Sequence, residues 1–239
     1  EGAKKNFSQG LNGGAAACRA FNFKDNKAPT NARVLLLDRE QALNAYKITR
    51  GQKDYLIIFD GELTDDGSAV SLRGKSASAF YSYPELESSP QGWTKSACGD
   101  LTKYQATASN DFSAARSSAP QIAVLALDKT EAGKKFYALT MPQIPAGADD
   151  VLIDIYFDGS YACLYKDGRL VADNLFCGKN VPWQLSARFF EPGSYELTID
   201  ELKESEKVYL EDKPNFTNGI ACDFVRAECA PLFKAFIKL

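Results

Sequence analysis

The chain has 239 residues, 45% of them hydrophobic and 12% aromatic, so it can bury the core of one large all-β domain or of two smaller ones. A formal net charge of -3 and the lack of a polybasic segment argue against nucleic acid as a partner. Histidine is absent, which excludes Ser-His-Asp and Cys-His catalysis and any histidine-ligated metal site.

The part of the chain up to residue 90 is predicted to be a β-rich N-terminal subdomain. Strand composition recurs at 33–38, 54–60, 69–73 and 76–84. One short helix is expected near 39–47, because Asp38 is a suitable N-cap and Gln41 occupies the capping-box position.

The next segment is polar, rich in Ser, Gly, Lys and Thr, and we expect a linker-like boundary at 91–111. Strand patterning then resumes, and alternation in "VLIDIYF" and "SYELTID" assigns 112–239 to a jelly-roll β-sandwich. About a dozen short strands and one helix indicate an all-β fold, an antiparallel β-sandwich or jelly roll with a smaller β-rich N-terminal part.

Two Asp-Gly pairs lie among these strands. Asp167-Gly168, in "KDGR", has the composition of a type I′ hairpin turn. Asp158-Gly159 is interpreted as a second tight turn, which would make 151–174 a meander of three strands. A calcium loop would need carboxylates at alternate positions, and neither pair has them. No metal and no cofactor is predicted.

The six cysteines contain no CxxC pair, so free and mostly buried thiols are the favoured interpretation, while at least one disulfide stays open. The apolar runs are too short to span a bilayer. The first residues, "EGAKKNFSQGLNGG", form no signal peptide and include no initiator Met. We expect an exported bacterial protein, periplasmic or at the cell surface, whose leader is missing here.

The second half resembles a known family. "VLIDIYFDGSYACLYKDGRLVADNLFCGKNVPWQL" is similar to the C-terminal, galactose-binding-like jelly-roll region of bacterial β-galactosidase-like glycoside hydrolases. Residues 160–178 follow the pattern of that region nearly residue by residue. They depart from it at Tyr161, at Arg169 where Lys is usual and at Cys177 where Asn is common. The resemblance extends from about Arg33 to the end of the chain.

The resemblance implies that the catalytic residues lie elsewhere. Such enzymes use two glutamates on a TIM barrel, and a barrel of that kind needs roughly 250 residues of alternating strand and helix, which this chain lacks. The chain alone is therefore expected to be non-catalytic, an accessory region that supports the barrel of the same polypeptide or contacts substrate or a subunit. A stand-alone carbohydrate-binding module and a purely structural interaction domain are the alternatives, and a homo-oligomer stays open.

Four residues are candidates for carbohydrate contact. Trp93 and Trp183 are the only tryptophans, and an exposed ring of either could stack on a sugar. Asp173 and Asn174 are expected to end the second hairpin arm and to point into a loop, where they could bind sugar hydroxyls. Burial of the tryptophans and backbone capping by the Asp-Asn pair are the structural alternatives. Adjacent acids, such as Asp149-Asp150, are too frequent to indicate catalysis.

Overall fold

The computed structural model describes residues 20–23, 32–107, 120–129 and 131–237. The described part is mostly strand and contains one short helix, and its strand pairs are antiparallel, so the predicted all-β class is confirmed. Two compact units are present, one formed by Glu1–Asp111 with Lys234–Leu239 and the other by Phe112–Phe233. Among the described residues, no helix has both the length and the apolarity needed to cross a membrane.

The first unit contains two hairpins and a five-stranded sheet. Its elements are β1 (Ala20–Phe23), β2 (Ala32–Leu35), α1 (Arg39–Leu43), β3 (Ala45–Arg50), β4 (Lys53–Ile58), β5 (Glu62–Asp65), β6 (Val70–Gly74), β7 (Ala79–Tyr83), β8 (Trp93–Cys98) and β9 (Leu101–Ala106). β1 pairs with β2 and β5 with β6, and the larger sheet has the order β3-β4-β7-β9-β8.

Helix α1 begins as the sequence predicts but ends earlier. The Asp38 carboxylate accepts a hydrogen bond from the Gln41 backbone at 2.8 Å, and the Gln41 side chain accepts one from the Asp38 backbone at 3.4 Å. The helix ends at Leu43, with Asn44 as its C-cap, and β3 follows at once. The prediction of helix as far as residue 47 is therefore wrong, because the β-branched residues Ile48 and Thr49 continue a strand that starts at Ala45.

The segment 91–111 differs from the expected linker, because most of it forms the hairpin of β8 and β9. Gly99, with a φ of 62°, lies in the turn between them. The polar composition that suggests a linker belongs to β8, whose residues from Thr94 to Ala97 are exposed at the edge of the sheet. Leu101 and Tyr104 on β9 are buried.

The second unit is a two-layer β-sandwich. Its elements are β10 (Ala123–Ala126), β11 (Lys134–Met141), β12 (Asp150–Asp158), β13 (Tyr161–Lys166), β14 (Arg169–Leu175), β15 (Trp183–Ser186), a 3₁₀ turn (Ala187–Phe189), β16 (Gly193–Asp200), β17 (Leu202–Lys203), β18 (Ile220–Ala221) and β19 (Asp223–Ile237). β19 is grouped with this unit as far as Phe233.

One layer of the sandwich is the five-stranded sheet β10-β11-β16-β13-β14, and in the other layer β12 lies between β15 and β19. Alternate residues of each strand point inwards and meet in a single core. That core includes Leu139, Ile153, Ile155, Leu164 and Leu197, each with an exposed fraction of 0%. The predicted antiparallel sandwich is thus confirmed.

Asp167-Gly168 is a hairpin turn, as predicted. The two residues join β13 to β14, and both have positive φ values, 50° and 77°. A type I′ turn requires this backbone conformation, which aspartate tolerates and glycine adopts freely.

Replacing Asp167 with alanine is expected to lower the free energy of unfolding by about 1 kcal/mol, because an ordinary side chain is strained at this φ. Asp167→Asn is the matched control and should remain close to wild type. Urea unfolding of the three proteins measures the difference. An alanine variant as stable as wild type would contradict the assigned turn.

Asp158-Gly159 is not a hairpin turn, and the prediction of a three-stranded meander is wrong. β12 and β13 belong to different layers, and the chain crosses from one to the other at this pair. The φ of Gly159 is not in the left-handed region, but a Cβ atom there would lie 2.7 Å from the Asp200 carbonyl oxygen. Glycine is needed here because two backbones approach closely rather than because the chain turns.

The Asp158 carboxylate is buried, and both of its oxygens accept hydrogen bonds. It accepts hydrogen bonds from the backbone and side-chain nitrogens of Asn215, at 3.0 and 2.9 Å. This pair ties the long loop between β17 and β18 to the end of β12. Among the described residues, no group of three histidine, cysteine or acidic side chains is arranged to hold a metal.

Five cysteines lie within the described residues, and all five have free thiols: Cys98, Cys163, Cys177, Cys222 and Cys229. Cys18 lies outside the described residues. Burial raises the pKa of the Cys222 thiol, so the protonated and less reactive form is favoured there.

Candidate functional site

Trp93 does not offer a ring to a ligand. Its exposed fraction is 5%, and its ring packs edge-on against Phe80 with centroids 5.0 Å apart. Phe80 in turn stacks on Tyr104 at 4.7 Å. The expectation of an exposed platform at Trp93 is therefore wrong, because the aromatic residues of β7 and β9 enclose the indole ring.

Trp183 is also buried, with an exposed fraction of 6%. It lies on β15 opposite Ile155 of β12 and belongs to the core of the sandwich. Both tryptophans are thus buried, which is the structural alternative to sugar contact, and neither presents an open face for stacking on a sugar.

Asp173 and Asn174 lie within β14 rather than in a loop. The Tyr161 hydroxyl donates a hydrogen bond to the Asp173 carboxylate. Asn174 is half-buried opposite Ala162. Neighbouring residues of a strand point to opposite faces, so the two side chains do not form one site.

A polar and aromatic surface covers the side of β15, β12 and β19 that faces away from the core. We call this surface the outer face and define it by Gln184, Asp154, Tyr156, Arg226 and Glu228. The register pairs Asp154 with both Gln184 and Glu228, and pairs Tyr156 with Arg226. Side chains directly opposite each other in such pairs have Cβ atoms roughly 5 Å apart.

The core-facing positions of β12 explain why these residues share the outer face. Ile153 and Ile155 have exposed fractions of 0% and belong to the core. Asp154 and Tyr156 alternate with them and therefore point to the opposite side.

Arg226 is held flat on the outer face. Its guanidinium carbon lies 3.5 Å from the centroid of the Tyr156 ring, and its Nε donates a hydrogen bond to Glu228 Oε1 at 2.8 Å. The bond to Glu228 is the main reason why the pKa of Arg226 is raised. Arginine has five N–H donors in a fixed plane, so further donors remain for a ligand.

Asp154 is the unusual member of the outer face. Its exposed fraction is 9%, and within the described part of the chain its Oδ1 atom has no hydrogen-bond partner. Burial, and secondarily the Asp154 charge, raise the pKa of the neighbouring Cys229 thiol to about 11. Most buried carboxylate oxygens in proteins are hydrogen-bonded, so an orphaned one calls for a reason.

A cleft of about 460 Å³ lies in the first unit beside the turn between β3 and β4. Its lining includes Arg50, Tyr55 and Glu87. Arg50 binds both carboxylate oxygens of Asp65, at 2.6 and 2.7 Å, and this contact lowers the pKa of Asp65. The guanidinium is thus already engaged, and this cleft offers a ligand less than the outer face does.

The outer face combines hydrogen-bond acceptors, a planar donor and an aromatic ring on a rigid sheet. Neutral polyols such as sugars are bound by this combination of groups. These residues are not among the candidates predicted from sequence, because the pairing of β12 with β19 joins positions more than 60 residues apart. The alternation of "VLIDIYF" does place Asp154 and Tyr156 on the polar face, which was the available signal.

Comparisons of the chain with protein-family models, with curated proteins and with solved structures find no match.

Proposed function

We propose that the chain is a non-catalytic accessory region of a β-galactosidase-like glycoside hydrolase, and that its sandwich contacts carbohydrate through the outer face. The resemblance of residues 160–178 to the jelly-roll region of those enzymes suggests the family. A catalytic barrel on the same polypeptide would be the principal partner.

One observation carries the carbohydrate part of the proposal: the planar Arg226 guanidinium is stacked on Tyr156, and Arg226 is the diagonal cross-strand neighbour of Asp154, whose Oδ1 has no partner among the described residues. A sugar hydroxyl can donate to a carboxylate while a neighbouring oxygen accepts from a guanidinium. Charge-assisted hydrogen bonds of this kind are roughly twice as strong as neutral ones.

A purely structural interaction domain is the second candidate. The burial of both Trp93 and Trp183 favours it, because sugar-binding modules commonly use an exposed aromatic ring as a platform. In that case the outer face would contact protein rather than sugar.

Calorimetric titration of the chain with galactosides and plant-type oligosaccharides tests the proposal. We expect heat of binding with at least one galactoside, and a roughly tenfold loss of affinity in Arg226→Ala, because a lost hydrogen bond to a charged group costs about 1.5 kcal/mol or more. Arg169→Ala is the matched control, because Arg169 is exposed and begins β14, which belongs to the other layer of the sandwich.

The same preparation should not hydrolyse aryl-galactosides. Robust turnover by pure protein would refute the accessory role. Absence of heat with every sugar would refute carbohydrate binding and favour the purely structural candidate.

A further inference from the structure

Three oxygen-bearing side chains form a row across the outer face. Asp154 on β12 is paired directly with Gln184 on β15 and with Glu228 on β19. Gln184 and Glu228, at the two ends of the row, are exposed, whereas Asp154 in the middle is buried. Long side chains at the ends of such a row can change rotamer and uncover the residue between them.

The buried carboxylates of the second unit differ in how they are satisfied. Asp150 and Asp158 each accept several hydrogen bonds at 2.5–3.1 Å. Asp154 leaves its buried Oδ1 without any partner among the described residues. A buried acceptor without a donor costs free energy, so a site that keeps one is expected to use it.

The charges of the outer face limit which ligands can donate a hydrogen bond to Asp154 Oδ1. One guanidinium, that of Arg226, accompanies two carboxylates, and it is bonded to Glu228 rather than to Asp154. The outer face therefore carries an excess of negative charge around Asp154. An anionic ligand would be repelled, while a neutral hydroxyl group could donate to the free oxygen.

We infer that Asp154 is the anchoring residue of a saccharide site on the outer face, and that the site selects neutral sugars over acidic ones. The inference rests on the proposed function and adds the class of ligand. Gln184 and Glu228 move aside when the sugar enters. A sugar hydroxyl then donates to Asp154 Oδ1, and Arg226 donates to a second oxygen of the same ring.

A hard cation fits this place less well. Calcium takes six to eight oxygen ligands, and the row supplies two carboxylates and one amide from a flat sheet.

The experiment compares wild type, Asp154→Asn and Asp154→Ala by titration with a neutral galacto-oligosaccharide and with a galacturonic-acid oligosaccharide of the same length, each with and without EDTA. Wild type is expected to bind the neutral sugar at least tenfold more tightly than the acidic one. Asp154→Ala should lose roughly tenfold or more in affinity for the neutral sugar, and Asp154→Asn should reduce the discrimination.

Folding of the variants is checked by urea unfolding. Since Oδ1 of Asp154 has no partner to lose, Asp154→Asn should unfold at a urea concentration equal to or above that of wild type. Glu196→Gln on β16, in the other layer of the sandwich, is the control for loss of a carboxylate away from the outer face.

The possible failures are distinguishable. Unchanged affinity in Asp154→Ala, with loss in Arg226→Ala, overturns the role of Asp154 and leaves the proposed function in place. Equal affinity for the acidic and the neutral sugar overturns the selectivity. Loss of binding in the presence of EDTA overturns the direct hydrogen bond from the sugar, because it shows that a cation occupies Asp154 Oδ1. Absence of binding to any sugar by wild type overturns the proposed function as well.

Discussion

Replacing Gly159 with alanine is expected to lower the free energy of unfolding of the second unit by about 3 kcal/mol. The added Cβ would lie 2.6 Å from Ile199 Cγ2 and 2.7 Å from the Asp200 carbonyl oxygen. The Asp200 oxygen is backbone and is fixed by the Ser160 amide, which donates to it at 2.9 Å. The strain therefore falls on the Asp200 backbone and on the fully buried Ile199 side chain, and neither can move away easily.

Gly168→Ala is the matched control for Gly159→Ala. Gly168 has a positive φ of 77°, and an added Cβ would meet nothing within 4 Å. Its replacement should cost only about 1 kcal/mol, the cost of the backbone conformation. Urea unfolding of both variants measures the difference, and equal stabilities would show that close approach at Gly159 is unimportant.

Asp150→Ala is expected to have the largest effect, a loss of about 3–5 kcal/mol, because it removes a fully buried acceptor and leaves several donors unsatisfied. Asp150 has an exposed fraction of 0%. Its carboxylate accepts from the Val151 amide at 2.7 Å and from Ser186 Oγ at 2.5 Å. It also accepts from the Arg188 amide at 3.1 Å and pairs with Arg188 Nε at 3.3 Å.

The adjacent Asp149 provides the control for Asp150→Ala. The Asp149 side chain is partly exposed, and its Oδ2 atom forms an ion pair with Arg188 Nη2 at 2.5 Å. Asp149→Asn should change the free energy of unfolding by less than about 1 kcal/mol. Thermal and urea unfolding test both variants, and similar losses in the two would contradict the special role of the buried carboxylate.

The two Asp-Gly pairs show where local sequence information is sufficient and where it is not. At Asp167-Gly168 the turn is determined by the two residues themselves, and the hairpin could be predicted. At Asp158-Gly159 the same dipeptide serves a contact with Ile199 and Asp200, 40 residues further along the chain. Residue composition and spacing cannot predict that long-range contact.

The wrong prediction of a linker at 91–111 has a similar cause. β8 is an edge strand, so most of its residues are exposed and polar, as in a loop. The packing of Trp93 against Phe80 joins two strands and depends on the order of the sheet. Sequence alone gives the residue type at such a position but not the neighbours that bury it.

The outer face could be predicted only in part. Alternation places Asp154 and Tyr156 on the polar side of β12. Their partners Arg226 and Glu228 are found only when β19 is paired in register, and that register shifts by one residue beyond Tyr156. A β-bulge of this kind has no reliable signature in a single sequence.

The tie between Asp158 and Asn215 has a consequence for the choice of expression host. Asn215, Phe216 and Thr217 form an N-glycosylation sequon, which a eukaryotic secretory pathway can modify. The nitrogen that would carry the glycan is the one that donates to Asp158 at 2.9 Å. A glycan attached there would compete with the tether of the loop, so production in a bacterial host preserves the native contact.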